Sequence, residues 1–194
     1  IQYNKIEMIG KDKISEAVAS IIQAIGEDSK REGLLNTPTR IADMYTELFS
    51  GINKNPNECF KNSFEETPKD LVILSNINFS SICEHHFLPF FGKAYVSYIP
   101  QSKTVGASKF AECIDILSKR PQLQERLTAQ IANTIFETIK PQGVEVLLHA
   151  THMCVSIRGV NKMDAKFVTH AQRGNIPENP LFKELLAANQ DVLH

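Results

Sequence analysis

At Leu71 the hydrophobic periodicity of the chain changes, and that change limits the folds open to it. Before it, apolar residues recur at helical spacing. "DKISEAVASIIQAI" (12–25) places Ile14, Ala17, Val18, Ile21, Ile22 and Ile25 on one helical face. A second helix is predicted over 38–50, with Asn36 or Thr37 as cap, Pro38 in the first turn and Gly51 as terminator. Residues 52–70, rich in Asn, Pro and Lys, read as a long connection. Beyond Leu71, "LVILSNINF" and "GKAYVSYIP" read as strands punctuated by Gly92 and Pro100.

Ser108 then opens a helix with Phe110, Ile114 and Leu117 on one face, and Pro121 interrupts it. A longer helix over 122–139 carries Leu123, Leu127, Ile131 and Ile135, and "PQG" at 141–143 ends it. "VEVLLHA" and "MCVSIRGV" read as two more strands, and Pro180 starts a short amphipathic tail helix. The order is two helices, then β-β-α-α-β-β, then a tail: an α+β protein whose four-stranded sheet packs on two helices. The predicted divisions are 1–70 (N-terminal helices and connection), 71–174 (core) and 175–194 (tail). Such a sheet has two open edges, which pairing between subunits covers, so a homo-oligomer is expected.

The net charge of −1 gives no global basic field for nucleic acid or an anionic membrane. No window approaches the ~20 apolar residues of a membrane span, and no secretory signal is visible. The four cysteines, Cys59, Cys83, Cys113 and Cys154, show no disulfide-framework spacing. Reduced thiols in the cytoplasm are the expectation.

A reduced Cys near His is a metal-ligand candidate. Cys83-x-x-His86 puts a thiolate and an imidazole on one turn, a pairing that suits zinc. Cys154, on a predicted strand able to pack beside that turn, is the third candidate. His152, two residues before it, is either a fourth ligand or a neighbour of the metal. The alternative is that both thiols are simply buried in the core. His85 and His152 are general acid–base candidates, because imidazole titrates near neutrality.

Ser108 and Lys109 at a helix start suit a phosphate, and Arg158 and Arg40 are further cationic candidates. Each of these, in isolation, is more simply a solvated surface residue. Gln124 and Glu125 precede Arg126 on a helix. A carboxylate there can accept the paired N–H groups of a guanine-like ring, although a surface Glu/Arg helix explains the same residues.

Taken together, "REGLLNTPTRIADMY", "CEHHFLPFFGKAYVSYIP", "VGASKF", "RPQLQERLTAQIA" and "ATHMCVSIRGV" resemble GTP cyclohydrolase I, in the family's order and over roughly residues 10–174. The resemblance implies the tunnelling fold, in which subunits join their sheets into a barrel. It further implies a homodecamer of two pentamers with active sites at subunit interfaces. Carried over by motif, Cys83, His86 and Cys154 bind zinc, and His85 and His152 move protons, which makes His152 a neighbour and not a ligand. Glu125, with Gln124, holds the guanine of GTP. Ser108, Lys109, Arg40 and Arg158 line the triphosphate and ribose, and Ser108 also serves the later sugar rearrangement.

The implied reaction is hydrolysis at C8 of GTP by a water that the zinc activates. Ring opening, loss of formate, an Amadori-type rearrangement and closure to 7,8-dihydroneopterin triphosphate follow, the first step of pterin and folate biosynthesis. The sequence departs from the family at Glu112, where the family usually has an Arg facing the triphosphate. That carboxylate motivates one alternative, a zinc purine-nucleotide hydrolase that stops at the ring-opened formamidopyrimidine. A non-catalytic nucleotide-binding zinc homologue is another.

Overall fold

The computed structural model describes residues 9–65 and 70–177, with Pro180 and Glu184. Two helices, α1 (Lys11–Ala24) and α2 (Thr37–Leu48), begin the chain. They meet through an apolar seam that includes Val18, Ile22 and Ala42, and the Lys11 ammonium lies 2.7 Å from Asp43. The expected long connection holds local structure of its own. A 3₁₀ turn, Pro56–Phe60, is capped by the Asn55 side chain. Strand β1 (Ser63–Phe64) then pairs with β4 (Thr104–Val105).

The core sheet has the order β5-β2-β3-β6-β7. Its long members are β2 (Val72–Cys83), β3 (Pro89–Ile99), β6 (Gly143–His152) and β7 (Phe167–Gly174). All pair antiparallel with their long neighbours, and the two-residue β5 (Pro121–Gln122) joins β2 in parallel. Helices α3 (Ala107–Ser118) and α4 (Gln124–Ile139) cover one face of this sheet. The period-2 alternation of the strands sends Phe79, Phe90, Val96, Val144 and Leu148 towards the helices. There they meet Phe110, Ile114, Leu127, Ile131 and Ile135, all without accessible surface. Fully burying one such side chain contributes roughly 1.5–3 kcal/mol. Helix α4 stops where Lys140 enters the left-handed region at φ 48°.

Three expectations change. The first strand runs on through Cys83, so the first candidate ligand sits on a hydrogen-bonded ladder and not in a loop. "MCVSIRGV" is not a strand: Met153–Ser156 form a helical turn, α5. Ladder pairing ends at Phe90↔His152, and the next residue of β3 is Pro89, which has no N–H to extend it. The fourth long strand is instead β7, at a sheet edge, where only alternate residues are half-buried. Its pattern of Phe, Val, Thr, His, Ala, Gln and Arg carries little hydrophobic signal. The expected tail helix lies outside the described residues apart from Pro180 and Glu184.

Strands β3 and β6 approach closely at Gly92. A Cβ there would lie 1.9 Å from the carbonyl oxygen of His149, so only glycine fits. No helix among the described residues is long and apolar enough to cross a membrane.

Candidate active site

The last residue of β2, Cys83, closes a tight turn. Its N–H donates to Leu88 O at 2.9 Å, and the N–H of Phe87 donates back to Cys83 O at 2.8 Å. Phe87 adopts φ 53°, which folds His86 over the strand end. His86 Nδ1 lies 3.9 Å from Cys83 Sγ as a result. The α5 turn brings Cys154 Sγ to 4.0 Å from Cys83 Sγ. The three donor atoms all fall within 4.8 Å of one another. Cys83 and Cys154 are 5% and 9% exposed, while His86 is exposed, so the cluster is closed on the sulfur side and open on the imidazole side.

These separations suit a tetrahedral ion. Zinc–sulfur bonds of ~2.3 Å set two sulfurs about 3.8 Å apart. Burial, and then the adjacent Cys83 sulfur, push the Cys154 thiol above its ordinary value. A cation between the sulfurs would offset that effect and favour the Cys154 thiolate.

His152 ends β6 and points to the helix side. Its ring stacks on Phe90 at 4.5 Å and 7°, and tilts against Phe167 at 4.7 Å. Burial holds the imidazole below its ordinary range, partly opposed by the charge of Glu125. His152 Nε2 lies 2.7 Å from Gln124 Oε1. The orientation of that amide follows from its other contacts. Gln124 Nε2 faces the carbonyls of Leu148 and Phe167 and the hydroxyl of Thr169, at 3.1, 3.0 and 3.0 Å. Carbonyls only accept, so the amide nitrogen must face them and the oxygen must face the histidine. The network therefore assigns the proton to His152 Nε2 and leaves Nδ1 bare.

Gln124 was expected at the guanine beside Glu125. It is 2% exposed, and both ends of its amide are committed within the chain. Glu125 is the exposed carboxylate of the pair, next to His152 on the first turn of α4. His85 stands exposed beside His86, ring centroids 6.1 Å apart.

One contact at the Cys83–His86 turn escaped the sequence. Glu84 forms an ion pair with Arg126, which also donates to Gln122 Oε1 at 2.9 Å and Pro121 O at 3.2 Å. Arg126 holds the Glu84 carboxyl below the usual carboxylate range. This pair fastens the ligand turn to the start of α4. The i, i+4 spacing of Gln122 and Arg126 is visible in the sequence, but the link to Glu84 is not.

The phosphate candidates divide between the two ends of the sheet. Arg158 follows α5, near enough to Cys154 for its charge to favour the thiolate. Arg40 is exposed on α2, whose end reaches the ligand turn through the edge-on contact of Phe49 with Phe87 at 5.8 Å. Ser108 and Lys109 sit at the opposite end of the sheet from Cys83. Phe110, one step further along α3, packs on Tyr98, which pairs with Val72 at the start of β2. The far end of α3, at Ser118 O, receives the Ser81 hydroxyl at 2.7 Å. Ser108 lies roughly 15 Å along α3 from Ser118, so Ser108 and Lys109 are separated from Cys83 by roughly 20 Å. Lys109 is paired with Glu112 at 2.7 Å.

Comparison with known proteins bears on this arrangement. The family profile described as GTP cyclohydrolase I matches residues 14–189. The GTP cyclohydrolase 1 of Bacillus subtilis (strain 168) is 50% identical over 186 residues, covering 95% of each chain. That of Bacillus pumilus (strain SAFR-032) is 52% identical over the same length and coverage. That of Clostridium perfringens (strain ATCC 13124) is 51% identical over 176 residues, 91% of this chain and 95% of that one. A profile match across nearly the whole chain, with half-identity to enzymes matched almost end to end, leads to one assignment: the chain belongs to the GTP cyclohydrolase I family.

Proposed function

We propose that the family's reaction, GTP to 7,8-dihydroneopterin triphosphate with release of formate, runs in this chain at a zinc ion held by Cys83, His86 and Cys154. The observation that carries the reading is the convergence of those three donor atoms within 4.8 Å, open on the side where His85 stands. When bound, the ion supplies a water activated near neutrality. His152 offers its bare Nδ1 as a proton acceptor, because its Nε2 proton is committed to Gln124. His85 is the second proton carrier, and one or both protonate the imidazole ring of the base as it opens. Glu125 accepts the paired N–H groups of guanine. Adenine lacks that pair and leaves the carboxylate unmatched, so it is rejected. Gln124 positions His152 in place of touching the base.

Ser108, Lys109, Arg40 and Arg158 are assigned to the ribose and triphosphate. Ser108 and Lys109 cannot reach the metal cluster of their own chain, so a neighbouring copy supplies them. This is the support for a homo-oligomer with sites at its interfaces. The exposed outer edge of β7, with Val168 and Phe167 partly in solvent, is the surface available for joining sheets. A barrel of five subunits, two of which stack into a decamer, satisfies both requirements.

The Lys109–Glu112 pair favours a second reading. A lysine neutralised by a carboxylate grips phosphate less well, and a misplaced ribose halts the reaction after ring opening. Incubating zinc-loaded protein with GTP and resolving the products by mass separates the two. Dihydroneopterin triphosphate is the expected product. Accumulated formamidopyrimidine nucleotide, relieved by Glu112→Arg, establishes the second reading instead.

A further inference from the structure

A cavity of about 700 Å³ lies against the sheet, and much of its wall comes from residues that alternate with the core positions. Two cross-strand rows build that wall. Lys93 on β3 pairs with Asn78 on β2 and with His149 on β6, and Phe91 pairs with Ser80 and Thr151. Lys166, just before β7, completes it. His149 and His152 are an odd number of residues apart on one strand, as are Phe91 and Phe90. The cavity is therefore back-to-back with His152 across one layer of sheet.

The charges there are unusual. Lys93 Nζ donates to Asn78 Oδ1 at 2.6 Å, and Lys166 Nζ donates to Thr151 Oγ1 at 2.8 Å. Both acceptors are neutral, and no carboxylate forms an ion pair with either lysine among the described residues. The helices add Glu47, Asp115 and Lys119 to the lining. Asp115 on α3 and Lys119 at its C-cap stand four residues apart, with no ion pair between them. The lining therefore sets three lysines against two carboxylates, Glu47 and Asp115. Burial and the charge of Lys166 hold His149 below its ordinary range, so it stands as a neutral ring able to donate one hydrogen bond. Phe91, 47% exposed, supplies an apolar wall beside the two ammonium groups.

We propose that this cavity is a second ligand site, separate from the metal cluster, which takes a phosphate monoester with the phosphate between Lys93 and Lys166 and its apolar part against Phe91. Two lysines satisfied only by neutral groups gain a charge-assisted partner when phosphate enters. His149, Asn78 and Thr151 donate or accept the remaining hydrogen bonds. The half-exposed ring gives the ester's carbon skeleton a surface to cover. The site stands whether or not the assignments at the metal cluster do, since it shares no residue with them.

The chain contains no tryptophan, so Phe91→Trp places a single indole in the wall, excited selectively beyond the tyrosine band. The test titrates phenyl phosphate and inorganic phosphate into the zinc-loaded full chain, without GTP, at constant ionic strength set with potassium chloride. Emission of the Phe91→Trp protein and calorimetry of the parent are both read. Saturable binding of phenyl phosphate is expected, tighter than that of inorganic phosphate. A Lys93→Gln/Lys166→Gln double variant should weaken it at least tenfold. Circular dichroism and sedimentation should match the parent, and KM for GTP should not change. Heats and emission that are the same in the double variant overturn the proposal, as does a response reproduced by potassium chloride. Equal affinity for the two phosphates removes the role given to Phe91.

Discussion

Gln124 Oε1 sits 2.7 Å from Nε2 of His152, and the rest of that amide is held by the carbonyls of Leu148 and Phe167. Two strands and a helix thus converge to fix one imidazole. Thr128 and Thr169 extend the network, their hydroxyls 2.6 Å apart, and Thr128 donates to Gln124 O at 2.7 Å. A buried polar network in which every member is satisfied specifies one arrangement. Here that arrangement fixes which ring nitrogen carries the proton and which is left as an acceptor.

Gln124→Met removes the acceptor and leaves the His152 N–H unmatched. The expected cost is about 1–3 kcal/mol of stability per unsatisfied group. If Gln124 acts through His152, kcat falls roughly 10²–10⁴-fold, the usual range for a lost proton carrier. Bound zinc and KM for GTP should stay near the parent values. Steady-state kinetics with metal analysis check this; a rise in KM alone returns Gln124 to the substrate.

Cys154→Ala opens the metal cluster without touching the core helices. The variant should bind less than one zinc per chain and lose activity, yet keep its melting profile and sedimentation. A chelator should reproduce the loss of activity in the parent. Collapse of the folded oligomer on either treatment shows the metal to be structural.

Lys109→Ala and Cys154→Ala disable opposite halves of the proposed site. If neighbouring copies build it, mixing the two inactive variants under conditions that exchange subunits should restore activity. Random assortment limits recovery to roughly a quarter of the parent value. No recovery after demonstrated exchange places both halves in one chain.

His149 is held below its ordinary range by burial and by Lys166, so the unfolded chain takes up a proton there first. Its contribution to stability is present above the unfolded value of about 6.5 and is lost as pH falls through the lower folded value. Urea unfolding of the parent should weaken over that interval. His149→Asn should flatten the decline, and Lys166→Met should do so in part.

Gly92→Ala tests the sheet itself. A Cβ within 1.9 Å of a neighbouring carbonyl cannot be relieved by a side-chain rotation, because both atoms belong to the backbone. The substitution should cost more than about 3 kcal/mol or prevent folding, measured by urea denaturation or soluble yield.

Much of the fold was legible in the sequence because period is a local property. Ile14 to Ile25, Leu127 to Ile135 and the strand through Val96 each carry their hydrophobic face in consecutive residues. The metal candidates were legible for a similar reason, since Cys83 and His86 share one turn and each is a ligand type. Strand β7 was not. An edge strand buries only alternate residues, and its apolar residues are too few to stand out. The end of β6 was not, because what stops it is Pro89 on another strand. The contacts of Gln124 were not legible either, because its partners, Leu148, Phe167 and Thr169, lie in distant segments.

The sequence by itself determined which residues have chemistry to offer: two thiols, three histidines and a carboxylate, in segments whose resemblance names the reaction. Tertiary structure decided how they are divided. It brought Cys154 within 4.0 Å of Cys83, and it turned Gln124 inward to hold His152. It also set Ser108 and Lys109 at the far end of β2 from the metal cluster. Distances between segments depend on strand register and helix direction, and those are settled by packing over the whole core, not by any local run of residues.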